Sequence, residues 1–79
     1  MVCYTLKLKN EHGLPIEIVA SKVKAVLLAT LADVVTINAM SQSPPILVVD
    51  LMTVYDDPVK VAETLKVLTN LGITIEAVQ

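Results

Sequence analysis

The chain has 79 residues, of which 54% are hydrophobic, and a formal net charge of −2. This length predicts one domain, near the size at which a single core is only just sufficient. Six scattered lysines against eight acidic residues provide no cationic field for phosphates, which argues against a nucleic-acid partner. The longest apolar run, residues 25–29, is far shorter than the roughly 20 residues of a membrane span. With no signal peptide recognisable at the N-terminus, a cytoplasmic protein is expected.

The high hydrophobic fraction has a further consequence. Apolar side chains that one small core cannot hold must be covered by something else, which predicts a homodimer or a protein partner. Cys3 is the single cysteine and excludes an intramolecular disulfide or a cysteine metal cluster. Its place within a predicted strand favours a small buried side chain. No cofactor and no metal ion are expected.

The first half of the chain predicts a strand, a helix and two further strands. Residues 2–9 alternate apolar and polar side chains, as a half-buried strand does. Residues 16–31 carry apolar side chains at helical spacing, and Pro15 suits the first turn of that helix. The next strand has Val35, Ile37 and Ala39 inward, and residues 41–45 predict a turn. Residues 46–54 are apolar on both faces, which indicates a strand covered on both sides or one passing into a short helix.

The second half predicts one helix and one strand. The segment Asp56-Asp57-Pro58 predicts a helix start in which a carboxylate caps the N-terminus. The predicted buried stripe of this helix consists of Val61, Ala62, Leu65 and Leu68. The residues expected to face water are Lys60, Glu63, Thr64 and Lys66. Gly72 ends the helix, and in the last strand, residues 72–79, Ile73, Ile75 and Ala77 point inward. The element order predicts a two-layer α+β sandwich, β-α-β-β-α-β, for which HPr-like and ferredoxin-like sheets both remain open.

The loop between the first strand and the first helix reads Asn-Glu-His-Gly-Leu-Pro-Ile-Glu-Ile. It resembles the active-site loop of HPr, the histidine-containing phosphocarrier of the bacterial sugar phosphotransferase system, which reads Asn-x-x-Gly-Leu-His-Ala-Arg-Pro. Asn10, Gly13 and Leu14 match, but Pro15 stands at the phospho-acceptor histidine and Glu17 at the arginine. The similarity extends to about residue 54, where the Leu-Met-Thr segment resembles the short second helix of the family. The C-terminal helix of the family has no counterpart.

The resemblance implies an HPr-like interaction or regulatory module that is not an enzyme. Pro15 offers neither a nucleophile nor an N–H group, and Glu17 would repel a phosphate. The candidate loop site consists of Asn10, His12, Gly13, Leu14 and Glu17. Carried over from the family, the partner surface would comprise Ile16, Glu17, Ala20, Leu47, Leu51 and Met52.

Other functions remain open from the sequence. A ferredoxin-like regulatory domain resembling ACT modules would bind a small ligand at residues 10–14, and paired domains would share a sheet. A true phosphocarrier would have to use His12, the only histidine. A metal site at Glu11, His12 and Glu17 is not favoured, since no supporting ligand is visible. Two tyrosines and no other aromatic residue argue against an RNA-binding sheet.

Overall fold

The computed structural model describes residues 1–11 and 13–78. The predicted element order and the α+β sandwich are confirmed, with these bounds: β1 Val2–Asn10, α1 Ile16–Thr30, β2 Val34–Gln42, β3 Pro45–Thr53, α2 Pro58–Asn70 and β4 Ile73–Val78. The two helices cover one face of a four-stranded antiparallel sheet. Within the described ranges, neither helix has the length and apolar character needed to cross a membrane.

The strand order is β2-β3-β1-β4, with every neighbouring pair antiparallel. β3 therefore lies between the parallel strands β1 and β2, and β1 lies between β3 and β4. Two such split βαβ units, interleaved, make the ferredoxin-like arrangement. Of the two sheets that the sequence left open, the ferredoxin-like one is observed; the HPr order places the first and last strands differently.

Helix α1 packs on the sheet through residues spaced three and four apart. Its buried side chains are Ile16, Val19, Ala20, Val23 and Leu27. Pro15, expected in the first turn, is instead the residue before the helix. Its carbonyl accepts hydrogen bonds from two amides of the first turn. Proline fits the N-cap position as well as the first turn, because a backbone amide at either position has no hydrogen-bond acceptor within the helix.

Helix α2 begins as its sequence predicts. The Asp57 side chain caps it by accepting a hydrogen bond from the Val59 amide at 3.0 Å, and Pro58 is the first helical residue. After the helix, Gly72 adopts a φ of +82°, which only glycine reaches without strain. The predicted cap and stop are both confirmed.

The buried stripe of α2 differs from the prediction at two positions. Ala62 is exposed, whereas Thr64 is 5% exposed and lies between Val61 and Leu68 on the packed face. Spacing of three, four and seven residues from Val61 selects Thr64 rather than Ala62. The Thr64 hydroxyl donates to the Lys60 carbonyl at 3.2 Å, which removes the cost of burying it.

The hairpin of β2 and β3 is longer than predicted. Ser41 and Gln42 continue β2 and Pro45 begins β3, which leaves Ser43 and Pro44 as the turn. Proline is compatible with the first position of a strand, so the double proline shortens the turn instead of ending the ladder. β3 remains extended up to Thr53, and the short helix considered as an alternative does not form.

Register shifts correct two predicted orientations, those of Ala39 and Ala77. A shift in β2 pairs Ala39 with Val48, so Ala39 lies on the opposite face from Ile37. A second shift pairs Ala77 with Lys7 and likewise turns Ala77 away from the helices. Each inserted residue reverses the alternation that follows it. Cys3 is exposed as well, because it alternates with Val2 and Tyr4 toward the uncovered face.

The core lies between this sheet and the helices, and its fully enclosed side chains are leucine and valine with one threonine. That threonine, Thr53, is 0% exposed. Its hydroxyl donates to the Leu31 carbonyl at 2.9 Å and accepts from the Tyr55 amide at 3.1 Å. Thr53 thus joins the end of β3 to the segment after α1, and its polar atom is satisfied.

Candidate functional site

The turn between β1 and α1 is held by its own residues. Asn10 is 5% exposed, and its Nδ2 donates to the Leu14 carbonyl at 2.8 Å. Gly13 has a φ of +68°, a conformation that favours glycine, and the space around it is open. The asparagine and glycine that carry the HPr resemblance therefore shape this turn. His12 lies outside the described residues.

The N-terminus of α1 is capped from a distant strand. The Ile16 amide donates to the Gln42 side-chain oxygen at 2.8 Å. Anions bind helix N-termini through such amides, and here a neutral side chain already occupies the first one. Glu17 follows, exposed and negative, in the first turn. The arrangement stabilises the helix and is unfavourable for a phosphate.

No local sequence pattern indicates the capping role of Gln42, which falls in the turn predicted for residues 41–45. It lies 26 residues from Ile16, so no local pattern connects them. Only the continuation of β2 beyond Ser41 brings its side chain to the helix. A local capping pattern was also missing, because Pro15 precedes the helix and makes no side-chain cap.

Glu11, at the β1 end of the turn, is hydrogen-bonded to residues at the start of β4. Its amide donates to the Gly72 carbonyl and its carboxylate accepts from the Thr74 hydroxyl, both at 3.2 Å. These bonds attach the turn to the start of β4. In the part of the chain that the structure describes, no three His, Cys, Asp or Glu side chains are grouped to hold a metal ion.

The surface carried over from the HPr family is not assembled by this fold. Ile16, Ala20, Leu47 and Leu51 are core residues between the sheet and the helices. Met52 is 37% exposed on the face of the sheet away from the helices. Glu17 is exposed on α1, in the other layer. The physical reason is that residues 50–53 continue a strand, so consecutive side chains alternate between layers.

Two surface cavities, each about 340 Å³, are present among the described residues. The first lies on the uncovered side of the sheet beside Cys3, Val34 and Met52. The second lies between α1 and β2 and is bordered by Glu17, Ser21, Lys24 and Met40, among others. The described residues of the loop at positions 10–14 line neither of them.

The uncovered side of the sheet, here called the open face, is packed against no helix of the described chain. The pairing registers and one ion pair assign fifteen residues to it: Cys3, Thr5, Lys7 and Lys9 of β1, Val34, Thr36, Ala39 and Ser41 of β2, Ile46, Val48, Asp50 and Met52 of β3, and Thr74, Glu76 and Ala77 of β4. Its chemistry is mixed, with apolar and neutral polar side chains between a few charges.

Two polar contacts order the centre of the open face. The Thr5 hydroxyl donates to the Asp50 carboxylate at 2.8 Å across β1 and β3. Lys7 and Glu76 form an ion pair at 3.7 Å across β1 and β4. Next to them, Cys3, Met52 and Val34 lie side by side on three adjacent strands and form an apolar corner.

No protein-family model matches the chain, and no curated protein matches it either. The chemical groups of the described residues are therefore the basis for assigning a role. At the turn before α1, the polar groups form hydrogen bonds within the fold, including the cap of the helix. On the open face they remain accessible.

Proposed function

We propose that this protein is a non-catalytic interaction or regulatory module built on a ferredoxin-like sandwich. The observation that carries the proposal is the contrast between two surfaces. The turn before α1 uses its polar groups internally, through Asn10 and Gln42. The open face presents an apolar corner that neither helix covers. A surface of this kind serves binding, since single domains seldom leave contiguous apolar area exposed without a partner.

The lack of a phosphoryl acceptor at position 15 supports a non-catalytic role. Phosphoryl transfer requires a nucleophile and positive charge or N–H groups facing the phosphate. Pro15 supplies none of these, the Ile16 amide donates to Gln42, and Glu17 adds negative charge nearby. A relation to the phosphotransferase system, suggested by the loop resemblance, is the less favoured proposal because of the strand order.

Phosphorylation tests this directly. Incubation with phosphoenolpyruvate and the general phosphotransferase enzyme should leave the mass of the protein unchanged. Stable addition of one phosphoryl group to His12 would refute the non-catalytic role. The double variant Pro15→His, Glu17→Arg is the matched control, because weak transfer in this variant would mean that the loop still docks the enzyme. Failure of both proteins to react would leave the interaction role without a link to the phosphotransferase system.

Binding of a small regulatory ligand is a second candidate, favoured by the ferredoxin-like order. The cavity between α1 and β2 suits it better than the turn before α1. Glu17 and Lys24 bring opposite charges to its rim, and Met40 supplies apolar surface. This chemistry fits a small zwitterion with an apolar side chain. Calorimetric titration with the standard amino acids tests the idea: binding weakened by both Glu17→Gln and Lys24→Met supports it, and no heat at millimolar ligand refutes it.

A further inference from the structure

The open face is the one place where β3 lacks the cover that its sequence predicts. Leu47, Val49 and Leu51 point to the helices and are at most 1% exposed. Their neighbours Ile46 and Val48 point outward and are only half-buried. Strands with apolar side chains on both faces belong in sheets covered on both sides. The second layer is therefore expected from outside this chain.

The open face carries charges of both signs. It has two lysines and two carboxylates, Lys7 and Glu76 already pair with each other, and the Glu11 carboxylate lies beside it on the Thr74 hydroxyl. Lys9 and Asp50 are left with opposite charges and, in the described part of the chain, with no ion-pair partner. Two identical faces brought together can set the lysines of one copy against the carboxylates of the other. They would offer each Lys9 a carboxylate of the other copy, which is the electrostatic complementarity that specific pairing requires.

The size of the open face is also sufficient for a pair. Three strands of nine residues and one of six, about 4.8 Å apart and rising about 3.3 Å per residue, cover roughly 520 Å². Opposing two such faces would bury about 1,050 Å² in total, just above the roughly 1,000 Å² that separates specific interfaces from chance contacts. The share of each copy is about a ninth of its 4555 Å² accessible surface.

We propose that a second copy of this chain covers the open face, so that two sheets stack face to face as a symmetric homodimer. The inference rests on the proposed interaction role and specifies the partner. Both copies contribute the same surface, as a two-fold interface requires. The apolar corner of Cys3, Met52 and Val34 lies inside the interface. The helices of each copy lie on the outer sides, so the dimer has four layers.

The single cysteine makes the interface measurable without any substitution. Cys3 is exposed in the isolated chain and lies within the proposed contact. Its rate of reaction with a chromogenic disulfide reagent should fall at least about 10-fold as protein concentration rises from below to above the dissociation constant, because dimers shield the thiol. Sedimentation velocity on the same samples reports the oligomeric state independently.

A matched pair of variants locates the contact. Met52→Asp places a carboxylate on the open face of each copy and should raise the dimer dissociation constant by roughly 100-fold or more, since each interface would then bury two unpaired charges. Met40→Asp makes the same change at an exposed methionine of β2 that points to the helix side. Dimerisation of this variant should stay within about 3-fold of the parent, because its carboxylate remains in water. Circular dichroism checks that both variants fold.

The outcomes separate this inference from the proposed function. Thiol protection that rises together with dimer formation, and that Met52→Asp abolishes, supports face-to-face pairing. Dimers in which Cys3 stays reactive, or which Met40→Asp disrupts instead, place the contact outside the open face and overturn the inference while an interaction role stands. A chain that stays monomeric up to millimolar concentration overturns self-pairing. The non-catalytic role itself fails only if phosphate is transferred to the protein.

Discussion

Replacing Leu68 by alanine tests how much of the stability comes from α2. Leu68 is 0% exposed and belongs to the contiguous core beneath the sheet. Removing three carbons from this site costs about 2–3 kcal/mol in transfer free energy at about 0.8 kcal/mol per methylene, and the residual cavity adds to it. We expect the free energy of unfolding to fall by about 3–4 kcal/mol. A domain of this size holds about 5–10 kcal/mol in total, so the loss is large.

Urea denaturation followed by far-ultraviolet circular dichroism measures this loss, at one fixed protein concentration because association contributes to stability. With a slope of about 1 kcal/mol per molar urea, the midpoint should drop by about 3–4 M. Lys66→Ala is the control, since Lys66 is exposed on the same helix and should change stability by less than about 0.5 kcal/mol. Lys60 is a poorer control, because its Nζ lies 5.9 Å from the centre of the Tyr55 ring. A larger loss for Lys66→Ala than for Leu68→Ala would refute the assigned face of α2.

Three further substitutions examine polar contacts and the turn before α1. Gln42→Ala should cost about 1–2 kcal/mol in urea denaturation, because it leaves the first amide of α1 without its acceptor; no change would mean that water replaces the cap. Thr53→Val should cost about 1–3 kcal/mol in the same assay, since it deletes two hydrogen bonds of a buried hydroxyl while conserving volume, and a neutral result would contradict their role. Gly13→Ala should cost only about 1–2 kcal/mol in thermal melts, because its positive φ is strained for alanine but its surroundings are open; a much larger loss would show an unrecognised close contact.

Sequence periodicity predicted the elements whose determinants are local. The ends of α2 follow from Asp57 before it and Gly72 after it, both within a few residues of the helix. The face of α1 follows from apolar spacing alone. These signals operate between neighbours in the chain, so they survive without knowledge of the tertiary structure.

The misassigned features depend on contacts between distant segments. The faces of Ala39 and Ala77 depend on register shifts, which alternation cannot reveal. Gln42 acts as a cap only because a longer β2 reaches α1. Strand order also depends on contacts between distant segments. The order of helices and strands along the chain was therefore compatible with both an HPr-like and a ferredoxin-like sheet. The candidate surface from the HPr resemblance did not assemble because four of its side chains are needed in the core.

Sedimentation equilibrium of the unmodified protein is the most direct test of a self-associating interaction module. Across micromolar to millimolar concentration, the weight-average mass should rise from the 8.5 kDa of one chain toward twice that value and then level off. Levelling at two copies is required because face-to-face pairing uses up the open face of both. A mass that stays at 8.5 kDa throughout, or one that climbs without limit, would contradict the closed homodimer.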